Sequence, residues 1–199
     1  TGRPMVAIVH DIVGLQHASM GIFNAWCDRV PVLVLGGTGP MDLTKRRPWI
    51  DWIHTALVQG TQVRDYVKWD DQPHTLAAVP ESFLRAYRTA LTDPTGPVYI
   101  CYDVDLQESP ITEPVALPDL RHYAPPISAG ADPAAVQQVA EWLVGAEHPV
   151  IVADTLGRHP EAVRVLVELA ELLAIPVIDH GSRFNMPNTH ALDCAGAEA

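Results

Sequence analysis

Hydrophobic residues in this chain fall into short unbroken runs separated by stretches with a spacing of three and four. Met5 to Val9 is an apolar run bounded by Pro4 and His10, the pattern of a buried strand. Leu15, Ala18, Ile22, Ala25 and Trp26 then recur at helical intervals, which gathers them on one face of a helix running to Cys27. Val30 to Leu35 predicts a second buried strand, ended by Gly36-Gly37-Thr38-Gly39-Pro40. Trp49, Ile50, Trp52, Ile53 and Leu57 predict a short helix after Pro48, whose fixed φ suits a helix start. Thr61 to Lys68 alternates weakly and predicts an edge strand. A further helix opens at Pro80-Glu81-Ser82, with Phe83, Leu84, Tyr87, Ala90 and Leu91 as its stripe, and closes at Pro94-Thr95-Gly96-Pro97. Val98 to Val104 is a third buried strand. The alternation of strand and helix predicts an α/β fold with a parallel sheet covered on both sides.

Prolines then take over. Pro110, Pro114, Pro118, Pro125, Pro126 and Pro133 are too dense for a regular element and read as a semi-rigid linker. Beyond them Asp132 is placed to cap a helix with Pro133 at its first position and Val136, Val139, Ala140, Leu143 and Val144 as its stripe. Pro149 to Ala153 predicts a strand, Pro160 to Ala174 a helix and Pro176 to Ile178 a strand. We therefore expect two Rossmann-like parallel-sheet units, 1–106 and 132–199, joined by a linker over 107–131. Thr1-Gly2-Arg3-Pro4 leads straight into a strand, and the last residues close no element, so a piece of a longer protein is expected.

Composition narrows the partners. With 13 Lys and Arg against 24 Asp and Glu, the net charge of -11 disfavours nucleic acid and anionic lipid surfaces. No apolar run approaches the roughly 20 residues of a membrane span. Nothing at the start resembles a signal peptide, and Cys27, Cys101 and Cys194 show no paired spacing, so a reducing, cytoplasmic setting is expected.

Several candidate sites dissolve on inspection. Gly14 and Gly21 lack the spacing of a dinucleotide fingerprint, and Gly36-Gly37-Thr38-Gly39 is not followed by the Lys-Ser/Thr of a phosphate loop. His10 and Asp11, as neighbours on a strand, point to opposite faces and make a poor acid–base pair. Asp179, His180, His190 and Asp193 lack tight metal-ligand spacing, so no metal site is expected. No G-x-S-x-G elbow is present. Trp49 and Trp52 read as core or subunit interface. What remains is position: parallel sheets bind ligands beyond the carboxyl ends of their strands, and here Gly14 follows the first strand and Gly36-Gly37-Thr38 the second.

Three stretches carry a resemblance: "TGRPMVAIVHDIVGLQHASMGIFNAWCDRVPVLVLGGTGP", "DPTGPVYICYDVDLQE" and, past the prolines, "AEHPVIVADTLGRHPEAVRVLVELAELLAIPVIDHGSRFNMPNTHAL". In this order the chain resembles the thiamine-diphosphate-dependent enzymes of the acetolactate synthase, benzoylformate decarboxylase and oxalyl-CoA decarboxylase superfamily. The resemblance implies part of a pyrimidine-binding domain followed by part of a Rossmann-like central domain. Where the family has Pro-Gly, a small residue and then Asn, this chain reads Val13-Gly14-Leu15-Gln16-His17, so Gly14 matches and His17 takes the Asn position. Where the family ends the next strand in Thr-Gly-Gln, the chain reads Gly36-Gly37-Thr38; Gly37 matches and Thr38 departs. The resemblance thus implies Gly14, His17, Gly37 and Thr38 beside the cofactor's pyrimidine ring, which needs close backbone approach more than charge.

The same resemblance implies thiamine diphosphate and Mg2+ for the whole enzyme, with FAD or ADP in the central domain of some members. It implies a small 2-keto acid or acyl substrate, and active sites between subunits of a homodimer or homotetramer. The family's activating glutamate is expected before the first residue here, so no catalytic residue is assigned, and the magnesium-binding domain has no counterpart in these 199 residues. Such a piece is expected to be inactive alone. A different class stays open: a non-catalytic Rossmann-like module for nucleotide binding or assembly, with Asp154 to Arg158 as the stretch to examine.

Overall fold

The structure, a computed structural model, describes residues 3–181 and 183–196. Thr1, Gly2 and residues 197–199, on which the reading of the chain ends partly rested, lie outside the described residues. The chain divides into two compact units, one reaching Ser128 and the other starting at Ala129.

The first unit runs β1 (Met5–Ile8), α1 (Val13–Cys27), β2 (Val32–Thr38), α2 (Ile50–Ile53), β3 (Asp70–Asp71), α3 (Val79–Leu91), β4 (Val98–Asp103) and α4 (Val104–Glu108). Its strands form one parallel sheet in the order β1-β2-β4-β3. Alternation along β2 and β4 explains the layers. Val34, Tyr99 and Cys101 face Leu15 and Ile22 of α1, while Leu33, Val98 and Ile100 face Ala86 and Ala90 of α3. The small alanines let α3 lie close on the sheet. The second unit runs α5 (Pro133–Gly145), β5 (Ile151–Ala153), α6 (Pro160–Leu173) and β6 (Val177–Asp179), with β5 and β6 parallel. Leu166 and Ala170 of α6 pack with Ala153, Val177 and Met186 as its core. The α/β class and the parallel sheets are as the pattern predicts.

The details depart in five places. β1 is not buried: among the described residues it pairs only with β2, and Met5, Val6 and Ile8 are 64%, 53% and 82% exposed, because an apolar run reports that a surface is to be covered and not what covers it. Thr61 to Lys68 is not a strand but two 3-10 turns, Gln59–Gln62 and Arg64–Tyr66. Val63 and Val67 are both buried there, and a spacing of four suits a helical turn as well as alternation. The proline-rich stretch does hold short elements, the end of α4 and a 3-10 turn at Leu120–Tyr123, and the first compact unit extends through it to Ser128. On α5 the expected cap is present, Ala134 N donating to Asp132 Oδ1 at 3.0 Å, but the expected stripe is not buried. Trp49 and Trp52 are likewise exposed, with the Arg46 guanidinium 5.0 Å over the Trp52 ring, so neither is core. No helix among the described residues is long and apolar enough to cross a membrane.

Candidate functional site

The carboxyl ends of β1, β2 and β4, together with α2, enclose a cleft of about 450 Å³. Ile8, Val9, Leu35, Ile50 and Val104 supply apolar wall, Gly36, Gly37 and Gly39 supply bare backbone, and His10, Asp11, His54 and Tyr102 supply polar groups. β1 ends at Ile8, so the strand alternation that would separate His10 from Asp11 no longer applies, and both line the cleft. They still do not form a dyad. His10 Nδ1 lies 3.0 Å from the Asp11 main-chain carbonyl, and the Asp11 carboxylate accepts instead from Gln59 Nε2 at 2.7 Å. The His10 and His54 rings meet edge to face, 5.8 Å between centroids.

Charge is arranged in layers. Burial pushes the Asp11 carboxyl above its ordinary value, opposed by hydrogen bonds from Gln59 and the Gly39 N–H and by the nearness of His54 and His10. Asp51, only 3% exposed, accepts from the Arg47 guanidinium at 2.9 Å and from its main-chain N–H at 2.7 Å. The guanidinium bond holds the Asp51 carboxyl below the usual carboxylate range. Arg47 is thereby engaged at the wall.

The four residues implied by the resemblance separate into two pairs. Gly37 and Thr38 line the cleft; Gly14 and His17 are not among its lining residues. A Cβ on Gly37 would come 3.3 Å from Gln107 Nε2, another lining group, whereas Gly36 is bare because a Cβ there would overlap the buried Tyr99 hydroxyl. The Thr38 hydroxyl donates to Ala56 O at 3.3 Å. Gly14 sits in the first turn of α1, where a Cβ would come 2.9 Å from His10 Cβ and 3.0 Å from the Val9 carbonyl carbon, so its bareness lets the helix start press against the end of β1. His17 is exposed, with Nδ1 2.7 Å from Val13 O of its own helix.

Sequence reasoning missed Gln59 and His54. Gln59 is fully buried, and its partners lie 22 to 48 residues away, so no local spacing announces it.

At the strand ends of the second unit the space is filled from within. Asn185, fully buried, accepts from Gly157 N at 2.8 Å and donates to Asp154 O at 2.7 Å and Asp179 Oδ1 at 2.8 Å. Asp179 in turn accepts from the N–H groups of Gly181, Asn185 and Met186. Within Asp154 to Arg158, the Gly157 N–H and the Asp154 carbonyl, two main-chain groups at the strand end, are thus committed to Asn185. His190 pairs with Glu171, and among the described residues no three His, Cys, Asp or Glu side chains converge as metal ligands.

Residues 1–64 match the family model described as the N-terminal TPP binding domain of thiamine pyrophosphate enzymes. Over 196 residues, 96% of its length, the chain is 26% identical to benzoylformate decarboxylase of Pseudomonas aeruginosa, covering 35% of that protein. It is 29% identical to the acetolactate synthase large subunit of Lactococcus lactis, over 89% of this chain and 30% of that one. The benzoylformate decarboxylase of Polynucleobacter necessarius superposes with a TM-score of 0.78 at 25% identity, over 96% of this chain and 34% of the other. These matches span about a third of each relative. The chain is thus similar along nearly its whole length to thiamine-diphosphate-dependent enzymes, and its first 64 residues match the model of their cofactor-binding N-terminal domain.

Proposed function

We propose that this chain supplies the pyrimidine-binding part of a thiamine-diphosphate-dependent enzyme that acts on a 2-keto acid or related acyl donor, by decarboxylation or carboligation. The observation that carries the reading is the cleft itself, bare at Gly37 and walled by aliphatic side chains, and lined mostly from the stretch that matches the cofactor-binding family model, with Tyr102, Val104 and Gln107 added from the end of β4 and from α4. A flat heterocycle with polar edges suits such a space: backbone approaches its faces, while His10, Asp11 and Tyr102 offer partners to its nitrogens. When bound, the cofactor supplies a carbanion-stabilising thiazolium. Residues of this chain hold the ring; the diphosphate and Mg2+ have no evident ligands in the cleft, where Arg47 is already engaged by Asp51. In this reading the whole protein is a homodimer or homotetramer, and the filled strand ends of the second unit argue against the nucleotide-module alternative.

Thiamine, which carries the ring without the diphosphate, tests this directly. Titrated into the 15N-labelled chain, it is expected to shift the Gly36, Gly37 and Gly39 amides saturably, and ADP is expected not to shift Gly157. Binding of ADP with no response to thiamine would reverse the choice.

A further inference from the structure

The chain enters α1 through Ile12, a β-branched residue at φ 46°, a strained conformation that persists only where neighbours impose it. Locally, Val13 N–H donates to Asp11 O at 2.5 Å and closes a tight turn around Ile12, and from across the sheet the turn is held by Gln59. Its Oε1 accepts from Ile12 N at 3.2 Å and from the Tyr99 hydroxyl at 3.3 Å, while its Nε2 donates to Asp11 Oδ1 and to Gly37 O, both at 2.7 Å. Both donors and both acceptor positions of one amide are therefore used, and the orientation is unique, since a flipped amide would set donor against donor at Ile12 and acceptor against acceptor at Asp11. Asp11 and Gly37 both line the cleft, at the ends of β1 and β2; Gln59 itself does not.

We propose that Gln59 is the positioning residue of this cleft, a buried amide that fixes the spacing of the two strand ends and the placement of the Asp11 carboxyl without touching the ligand. The inference deepens the ring-binding reading and rests on it for its consequence on affinity, but not for its consequence on Asp11. Donation from Nε2 stabilises the ionised carboxylate against its burial, so removing the donor must raise the titration midpoint of Asp11. A residue that merely filled space would not do this.

Gln59→Met keeps the volume and removes all four hydrogen bonds. Followed by carboxyl 13C NMR, the Asp11 midpoint is expected to rise by at least about half a pH unit, and thiamine affinity to fall about tenfold, or roughly 1.4 kcal/mol. Gln59→Glu keeps the acceptor side but sets a carboxylate against Asp11 and Gly37 O. It should lose affinity at neutral pH and regain part of it as the pH is lowered and the introduced carboxyl takes up a proton and becomes a donor, a recovery Gln59→Met cannot show. The wild-type chain provides a check independent of any variant's folding, because the Gln59 side-chain NH2 signals must titrate with the Asp11 midpoint. Signals that ignore that midpoint, or a folded Gln59→Met with an unmoved midpoint and affinity within about twofold, overturn the proposal. A wild-type chain that fails to bind thiamine overturns the ring-binding reading instead, and the Asp11 midpoint still decides the role of Gln59.

Discussion

At the carboxyl ends of β1 and β2 the chain leaves about 450 Å³ of space, and at those of β5 and β6 it inserts Asn185. Both are parallel strand ends followed by loops, the position where such sheets take their ligands. In the first unit the buried amide, Gln59, lies behind the strand ends and ties them together, so the front stays open. In the second, the buried amide lies between the strand ends and takes the hydrogen bonds a ligand would need. A strand end is thus a location, and the placement of one amide decides whether it becomes a site.

The largest break in this comparison comes from Asn185. Asn185→Ala strips Gly157 N–H, Asp154 O and Asp179 of a buried partner, and with each unsatisfied group worth about 1–3 kcal/mol, a loss of about 3 kcal/mol is expected. Asn185→Asp should lose more, because it retains the acceptor for Gly157 but turns a second carboxylate on Asp179. Hydrogen exchange at the β5 and β6 amides measures both; equal exchange in all three proteins would mean that Asn185 is not a structural plug.

Two adjacent glycines sharpen the comparison on the open side. A methyl group at Gly36 would strike the fully buried Tyr99 hydroxyl, so Gly36→Ala is expected to destabilise by about 2 kcal/mol. At Gly37 the nearest atom is Nε2 of the exposed Gln107, a group that can move, so Gly37→Ala should stay within about 0.5 kcal/mol of wild type while narrowing the cleft. Thermal melts and thiamine titrations separate the two: the first variant loses stability, the second affinity. The reverse result would place the ligand elsewhere.

How much of this is legible in the sequence follows from the range of each interaction. The strand–helix alternation is local, and β2, α3, β4 and α6 sit where periodicity puts them. Gly37 can be found because a glycine at the end of a buried strand is a local signal. Strand alternation argues against pairing His10 with Asp11 at one site, and it fails to separate them because β1 ends at Ile8. Gln59 and Asn185 are invisible for another reason: each is one amide among polar residues in a loop, and its meaning lies in partners brought together by the sheet. The exposed face of β1 and the uncovered α5 mark the converse limit, where the pattern of burial is written in the sequence and the covering surface is not.

The smallest expected effect concerns the charge that completes the plug. Burial works against ionised Asp179, but the hydrogen bonds from Asn185 Nδ2 and from the N–H groups of Gly181, Asn185 and Met186 outweigh it, so the carboxyl is held below its ordinary range. A carboxyl with a depressed folded-state value contributes stability that is present above the unfolded value, roughly 3.9, and is lost as the pH falls through the folded one. Asp179→Asn keeps one acceptor oxygen but turns an NH2 group toward donors. It should therefore cost about 1 kcal/mol at neutral pH, with the gap to wild type closing as the solution is acidified below about pH 4. Urea melts read at the second unit from about pH 7 down to about pH 3 give both curves, and parallel curves would show that the three N–H groups do not discriminate a carboxylate from an amide.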